Sequence, residues 1–154
     1  MHYFYGGWKR LFETSSSLGT HILVEAYDCE PEKLDNLKGV QSAMVEAAEL
    51  AGATVLDVAF RQFAPQGISG VVIISESHLT IHTWPEFGYA AIDLFTCGTK
   101  ADPWKAFKYI TSYLKAKKVT TMELKRGSLP LELSEQRLNI DKLDSELTEV
   151  EGRV

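Results

Sequence analysis

Three strand-like runs follow one another between residues 69 and 97. They are SGVVIIS, HLTIHTW and YAAIDLFTC, and they are rich in β-branched and aromatic residues. Only a few residues link each run to the next, whereas parallel strands need a crossover of about a dozen residues or more. An antiparallel sheet is therefore predicted at the centre of the fold.

The remaining core segments extend this sheet and cover it. Strand patterns occur at residues 20–29, 54–63 and 119–127, and helical spacing occurs at 31–51 and 102–118. Pro31 and Gly52 bound the first helical run, and Asp102 with Pro103 begins the second. Side chains expected to face inward are Leu34, Leu37, Val45, Ala48, Ala51, Trp104, Phe107, Ile110 and Leu114. We predict an α+β fold, a two-layer α/β sandwich in the order β-α-β-β-β-β-α-β, with both helices on one face.

The 154 residues are predicted to form one compact domain. Residues 18–127 form the predicted core domain. The aromatic segment 1–17 is interpreted as an N-terminal extension. Residues 128–154 are acidic and are expected to form a frayed helix or a disordered tail.

Charge and composition exclude several classes of protein. The net charge of -5 disfavours a nucleic-acid partner, because phosphate binding needs a basic surface. No apolar run reaches the roughly 20 residues that span a bilayer, so no membrane association is expected. Cys29 and Cys97 lie far apart in a chain without a secretory signal, which predicts free thiols and a cytoplasmic location.

The alternation within HLTIHTW places polar and aromatic side chains on one face of a strand. His78, Thr80, His82 and Trp84 share that face. Along the next run, Tyr89, Ala91, Asp93, Phe95 and Cys97 share a face. Cys97 comes near the histidines if the two faces coincide, which the alternation alone leaves open.

Two interpretations of the histidine pair compete. His78 and His82 could belong to an ordinary solvated sheet face. They could instead bind zinc, as histidines four residues apart do on a helix. In a strand, however, four residues span about 13 Å, which is too far for one ion to be shared. No metal site is therefore predicted.

The link at residues 75–77 is Ser-Glu-Ser, without the glycine, asparagine or aspartate that tight hairpins favour. Strained backbone tends to occur at functional positions. A serine hydroxyl held against the preceding carbonyl can attack it and convert the amide into an ester. The alternative is an ordinary polar turn.

The same stretch carries a family resemblance. ISESHLTIHTWPEFGYAAIDLFTCG, with FRQFAPQGISGVVI before it and DPWKAF after it, resembles the bacterial and archaeal S-adenosylmethionine decarboxylase proenzymes. The resemblance covers residues 18–127. It implies self-cleavage between Glu76 and Ser77, which leaves two chains and converts Ser77 into a pyruvoyl group.

The resemblance also implies a reaction. The substrate amine would form a Schiff base with the pyruvoyl ketone, which holds the electrons as carbon dioxide leaves. The product would be decarboxylated S-adenosylmethionine, the aminopropyl donor for spermidine.

Individual roles follow from the same resemblance. His82 would be the base for processing, Ser69 would stabilise the processing intermediate, and Cys97 would donate a proton to the product carbon. Phe63 and Trp84 would enclose the adenine, and Glu86 would accept the ribose hydroxyls. Two cleaved protomers would form a homodimer with sites shared between them. His78 receives no assigned role.

Two alternative functions stay open from the sequence. One is a pyruvoyl-dependent decarboxylase of a free basic amino acid such as arginine or ornithine, because the processing residues do not contact the adenosyl group. The other is a small α/β ligand-binding domain that never cleaves itself.

Overall fold

A computed structural model of the chain describes residues 16–75, 77–98 and 100–129. Most of the predicted extension and nearly all of the predicted acidic tail lie outside these residues, as does Glu76. The strands are β1 Ser16–Tyr27, β2 Val55–Gln62, β3 Ile68–Ile74, β4 Ser77–Trp84, β5 Tyr89–Cys97 and β6 Lys118–Leu129. The helices are α1 Pro31–Leu34, α2 Leu37–Leu50 and α3 Pro103–Tyr113, with a 3-10 turn at Pro85–Phe87.

The six strands form one sheet in the order β2-β3-β4-β5-β1-β6. Every pair of neighbouring strands is antiparallel. The predicted α+β sandwich and its order of elements are confirmed. The short links place β3, β4 and β5 side by side, as their lengths require.

The first helical run is interrupted, whereas the sequence pattern predicted one continuous helix. It divides into α1 and α2 around Asp35 and Asn36. The Asn36 side chain accepts a hydrogen bond of 2.9 Å from the Gly39 N–H and so caps α2. An asparagine that bonds to nearby backbone favours a helix start over a helix interior. Asp102 caps α3 in the same way, through the Trp104 N–H at 3.0 Å.

The core lies between the helices and one face of the sheet. Leu79, Ile81 and Leu94 from the central strands are fully buried there, together with Met44 and Ile110 from the helices. Each such side chain contributes about 1.5–3 kcal/mol of stability through burial. Of the side chains predicted to face inward, Leu37, Val45, Trp104 and Phe107 are only partly buried against this core.

The opposite face of the sheet carries no layer of its own within the described residues. Its side chains on β4 and β5 alternate with the buried ones and are half-buried or exposed. We call this surface the open face. None of the helices in the described part of the chain is long and apolar enough to cross a membrane.

Candidate active site

The open face brings the predicted polar rows of β4 and β5 together. His78 pairs with Phe95, Thr80 with Asp93, and Trp84 with Tyr89. Residues paired across antiparallel strands point to the same side of the sheet. The two faces that the sequence left unrelated therefore coincide.

Five of the predicted site residues line one cavity at the end of the open face where β4 finishes. This cavity of about 230 Å³ is lined by Phe63, Ser69, His82, Trp84 and Glu86, together with Gln66, Gly67, Ile68 and Thr83. We call this region the pocket end. Both aromatic side chains are accessible, with 55% of Phe63 and 38% of Trp84 exposed.

Ser69 and His82 form a hydrogen-bonded pair at the pocket end. They are direct partners across β3 and β4. The Ser69 Oγ lies 2.7 Å from His82 Nδ1. This contact fixes the orientation of the imidazole and leaves its Nε2 available for proton transfer.

An aromatic series continues from His82 across the open face. The His82 and Trp84 rings are 6.3 Å apart, and Trp84 lies 5.2 Å from Tyr89, which stacks on Tyr27 at 5.3 Å. The Tyr89 hydroxyl donates a hydrogen bond to Glu25. Burial first, and then this bond to the carboxylate, raises the pKa of Tyr89 to about 12. Tyr89 is therefore a neutral hydrogen-bond donor at physiological pH.

Glu86 lies in the 3-10 turn directly after Trp84, and its carboxylate is engaged. Glu86 Oε2 accepts a hydrogen bond of 3.1 Å from Gln66 Nε2. Gln66 was missed by the sequence analysis, since it lies in what looks like a simple turn. Tyr89 was missed as well, although the short PEFG link already implies that it pairs with Trp84.

Ser77 lies at the other end of the sheet, where β4 begins, and alternation places its side chain on the same side of the sheet as Leu79 and Ile81. It pairs with Ile74, and the neighbouring Ser75 N–H donates to the Thr54 carbonyl at 2.9 Å. The Ser77 Oγ is buried and has no hydrogen-bond partner among the described residues. Ser75 does not have a positive φ, so the predicted strain is absent at that residue. Glu76 lies outside the described residues.

Cys97 lies at the same end as Ser77, at the end of β5. It pairs with Gly19 of β1. A Cβ added at Gly19 would lie 3.1 Å from Cys97 Sγ and 2.7 Å from the Thr96 carbonyl, so only glycine allows this close approach. Cys97 and Ser75 also line a cavity of about 400 Å³. We call the region around Ser77 and Cys97 the turn end.

The two cysteines differ in environment, and both are free thiols, as predicted. Cys97 is half-buried beside a cavity. Cys29 is buried in the core, and burial followed by the nearby Asp28 raises its pKa to about 11. Cys97 is therefore the thiol suited to chemistry.

The two ends are far apart within one chain. Ser77 and His82 are five residues apart on a single strand, which corresponds to about 17 Å. A direct contact between these two side chains cannot form within one protomer.

A polar cluster occupies the middle of the open face. Asp93 Oδ2 accepts a hydrogen bond of 2.8 Å from Thr80 Oγ1, and Asp93 Oδ1 lies 3.5 Å from His21 Nε2. The Arg126 guanidinium lies 3.1 Å from His21 Nδ1. Because arginine can only donate, Nδ1 is the acceptor and the neutral ring carries its proton on Nε2, facing Asp93.

The family can now be identified by comparison with known proteins. The model of the S-adenosylmethionine decarboxylase family matches residues 20–127. The chain belongs to this family. The matched segment contains every predicted site residue of the pocket end and of the turn end.

Family relatives agree closely with this chain. The S-adenosylmethionine decarboxylase proenzyme of Caldicellulosiruptor saccharolyticus is 60% identical over 111 residues, which is 72% of this chain and 90% of the relative. The proenzyme of the same name from Thermotoga maritima is 57% identical and is covered to 85%. Each alignment spans most of the relative.

A solved family structure also has the same fold. The crystal structure of the adenosylmethionine decarboxylase from Aquifex aeolicus matches with a TM-score of 0.71 at 34% sequence identity. The match covers 76% of this chain and 97% of that structure. The open face and its two ends therefore belong to a fold shared with a family enzyme.

No group of three or more histidine, cysteine, aspartate or glutamate side chains in the described part of the chain is arranged to hold a metal ion. His78 and His82 lie on one strand rather than on a helix. The His78 ring packs instead near His21 and Phe95, at 6.4 and 5.7 Å.

Proposed function

We propose that this chain cleaves itself between Glu76 and Ser77 and then decarboxylates S-adenosyl-L-methionine. The observation that carries this proposal is the convergence of Phe63, Trp84 and Glu86 on one cavity with the hydrogen-bonded Ser69 and His82. Membership of the S-adenosylmethionine decarboxylase family, whose relatives from Caldicellulosiruptor saccharolyticus and Thermotoga maritima are named proenzymes, supports both steps.

Ser77 is the proposed nucleophile for self-cleavage. Its hydroxyl would attack the Glu76 carbonyl, so that the amide bond becomes an ester. The buried Ser77 Oγ has no described partner that would have to be displaced first. His82 would then remove the Ser77 α-proton as the ester breaks and the Glu76 carboxylate leaves, with Ser69 holding the imidazole in place. The dehydroalanine that remains at position 77 would hydrolyse to the pyruvoyl ketone with loss of ammonia.

We propose that His82 acts on Ser77 of a second copy of the chain. The separation of about 17 Å along β4 prevents the contact within one protomer. Two open faces stacked about 10 Å apart, with strands running in opposite directions, would place each pocket end over the turn end of the other copy.

The composition of the open face supports this dimer. A row of paired residues crosses the open face about halfway along β4, at Thr80. From β3 to β6 its members are Val71, Thr80, Asp93, Leu23 and Met122. Met122 is 58% exposed, and Leu124, two residues further along the same face of β6, is 39% exposed, so neighbouring apolar side chains face solvent there. A two-fold axis that runs along this row, perpendicular to the strands, would bury each of these side chains against the same side chain of the second copy.

The pocket end is suited to the adenosyl part of the substrate. The adenine ring would stack between Phe63 and Trp84, and such stacking contributes about 1–3 kcal/mol per base. Glu86 would accept hydrogen bonds from both ribose hydroxyls, as carboxylates do. The aromatic side chains would also favour the sulfonium cation. A free basic amino acid has none of the groups that this pocket fits, which disfavours that alternative substrate.

The turn end is suited to the reacting carbon. A pyruvoyl group formed from Ser77 would supply a ketone that binds the substrate amine and accepts the electrons released by decarboxylation. Cys97 would return a proton to the α-carbon, because a thiol is mostly protonated at neutral pH. The Cys97 side chain is half-buried at the same end of the sheet as Ser77.

Mass measurement and a labelled-substrate assay test the activity together. The purified protein should give two chains that meet between Glu76 and Ser77, the second bearing a terminal ketone. Labelled carbon dioxide should be released from S-adenosylmethionine and not from arginine or ornithine. One uncut chain of 17.2 kDa without activity would favour the ligand-binding alternative, and release from an amino acid alone would overturn the substrate.

Co-expression of two defective chains tests the shared site. Ser77→Ala and His82→Ala should each remain uncut when expressed alone. In a mixture, about half of the His82→Ala chains would pair with a Ser77→Ala chain and receive an intact His82 from it. Those chains should be cut. A mixture in which no chain is cut would exclude a site shared between protomers.

A further inference from the structure

The loop that carries Phe63 and Gln66 is held by few bonds of its own. It joins β2 to β3, and the Phe63 N–H donates to the Gly67 carbonyl at 2.8 Å. Phe63, Ala64 and Pro65 are exposed. A loop of this kind needs an external attachment if Phe63 is to keep a fixed position beside Trp84.

Asp35, which follows α1, supplies attachments at both ends of this loop. Its Oδ1 accepts hydrogen bonds from the Gly67 N–H at 2.9 Å and from Gln62 Nε2 at 3.1 Å. The Asp35 carbonyl accepts a further bond from Gln62 Nε2 at 2.9 Å. Bonds to a carboxylate are stronger than those between neutral groups.

Asp35 is itself fixed relative to the strand that carries His82 and Trp84. The preceding residue, Leu34, is fully buried. The Leu34 carbonyl accepts a hydrogen bond of 2.8 Å from Thr83 Oγ1, which accepts one of 2.9 Å from the Ile68 N–H. These buried bonds join the end of α1 to β3 and β4.

We propose that Asp35 is a positioning residue for substrate binding. It lies outside the cavity lining and holds the loop so that Phe63 and Gln66 stay at the pocket end. Without Asp35 the loop has more conformations, and substrate binding has to order it again. The effect falls on binding rather than on cleavage, because Ser69 and His82 are held by the sheet ladder. This inference rests on the proposed function.

Steady-state kinetics of Asp35→Ala, Asp35→Asn and Glu32→Ala test the proposal. Asp35→Ala should raise KM for S-adenosylmethionine about tenfold, since a hydrogen bond to a charged group is lost. Its kcat should stay within about twofold, and self-cleavage should be complete. Asp35→Asn keeps one acceptor oxygen and should show a smaller rise. Glu32 is exposed on α1 and has no described side-chain bond, so Glu32→Ala should match the wild type.

Amide hydrogen exchange at Gly67 tests the attachment without any activity. Exchange should be about tenfold faster in Asp35→Ala than in the wild type, since the N–H loses its partner. If Asp35→Ala fails to fold, Gln62→Ala replaces it, since Gln62 is exposed. Gln62→Ala removes two of the three hydrogen bonds to Asp35 and should raise the exchange rate of Gly67 by a smaller factor.

Two results would overturn the inference. One is an unchanged KM or an unchanged Gly67 exchange rate in Asp35→Ala. The other is an Asp35→Ala variant in which kcat, self-cleavage and Tm all fall together, which would mean that Asp35 has a general structural role. A wild-type chain that leaves S-adenosylmethionine intact would instead overturn the proposed function, and the exchange measurement would still test the loop.

Discussion

The pocket end and the turn end of the sheet are built differently. At the pocket end, side chains from a loop, two strands and a 3-10 turn already converge, and Ser69 and His82 are 2.7 Å apart. At the turn end, Ser77 has no described hydrogen-bond partner for its hydroxyl, and Cys97 lies beside an open cavity. One chain therefore holds a preorganised pocket and, about 17 Å away along β4, the proposed reactive serine, whose hydroxyl has no described partner.

This difference suggests how one small chain can avoid premature chemistry. A Ser77 ester next to its own base would undergo elimination as soon as it formed. With the proposed base, His82, at the far end of the strand, cleavage would depend on a second copy. We expect folding to precede cleavage for this reason.

Removal of the Ser77 hydroxyl should have the largest effect. Ser77→Ala should stay uncut and release no carbon dioxide, because neither the nucleophile nor the ketone can form. Its pocket end should still bind adenosine within about threefold of the affinity of wild type, because Phe63, Trp84 and Glu86 are unchanged. Denaturing electrophoresis and calorimetry measure these outcomes. Ser75→Ala is the matched control, and a cut, active Ser77→Ala would refute the assignment of the reactive residue.

Removal of the Cys97 thiol should separate processing from turnover. Cys97→Ala should be cut fully while kcat falls about 100-fold, as is common when a general acid is lost. Cys29→Ala is the control, since Cys29 is buried with its pKa near 11. A thiol reagent should label Cys97 well before Cys29. Full activity of Cys97→Ala would remove Cys97 from the reaction.

Removal of the Trp84 ring should affect binding and leave cleavage intact. Trp84→Ala should raise KM about tenfold or more, because base stacking is lost. Phe87 is the control, since it lies in the 3-10 turn directly after Trp84, has 74% of its surface exposed and does not line the cavity. Equal effects of Trp84→Ala and Phe87→Ala on KM would argue against adenine binding at the pocket end.

The smallest effect should come from Tyr89, and it should depend on pH. The pKa of Tyr89 is about 12 in the folded chain, against about 10 for an ordinary tyrosine. The stabilisation linked to its protonated form is complete below about pH 10 and is lost as pH rises through the folded pKa. The free energy of unfolding, measured with urea, should fall more between pH 8 and pH 10.5 for the wild type than for Tyr89→Phe. Equal losses of stability would mean that the environment of Tyr89, including the bond to Glu25, does not raise its pKa.

Much of the fold followed from local sequence. The short links between residues 69 and 97 required antiparallel neighbours, and the alternation in HLTIHTW correctly separated His78, His82 and Trp84 from Leu79 and Ile81. The separation of Ser77 from His82 was also implicit, since five residues in a strand have a fixed length. The interruption at Asp35 and Asn36 was missed because the apolar spacing continues across it.

The candidate site was only partly accessible from the sequence. The family resemblance supplied the roles of Ser69, His82, Cys97 and Glu86, and those roles stay predictions. The register of β4 against β5 supplied what alternation lacked, namely that their polar rows share one face. Gln66 and Asp35 gave no local signal, because each acts on a residue at least 20 positions away.

The sequence alone determined which side chains share a strand face, how far apart they lie along it, and which bond is the candidate for cleavage. The first two properties depend on the fixed period and rise of a strand, and the third depends on the family resemblance of the surrounding motif. The tertiary structure decided which distant segments meet: the loop at Phe63 with the turn at Glu86, and Asp35 with Gly67. Such contacts depend on how helices and loops pack on the sheet, and no periodicity within one segment specifies that packing.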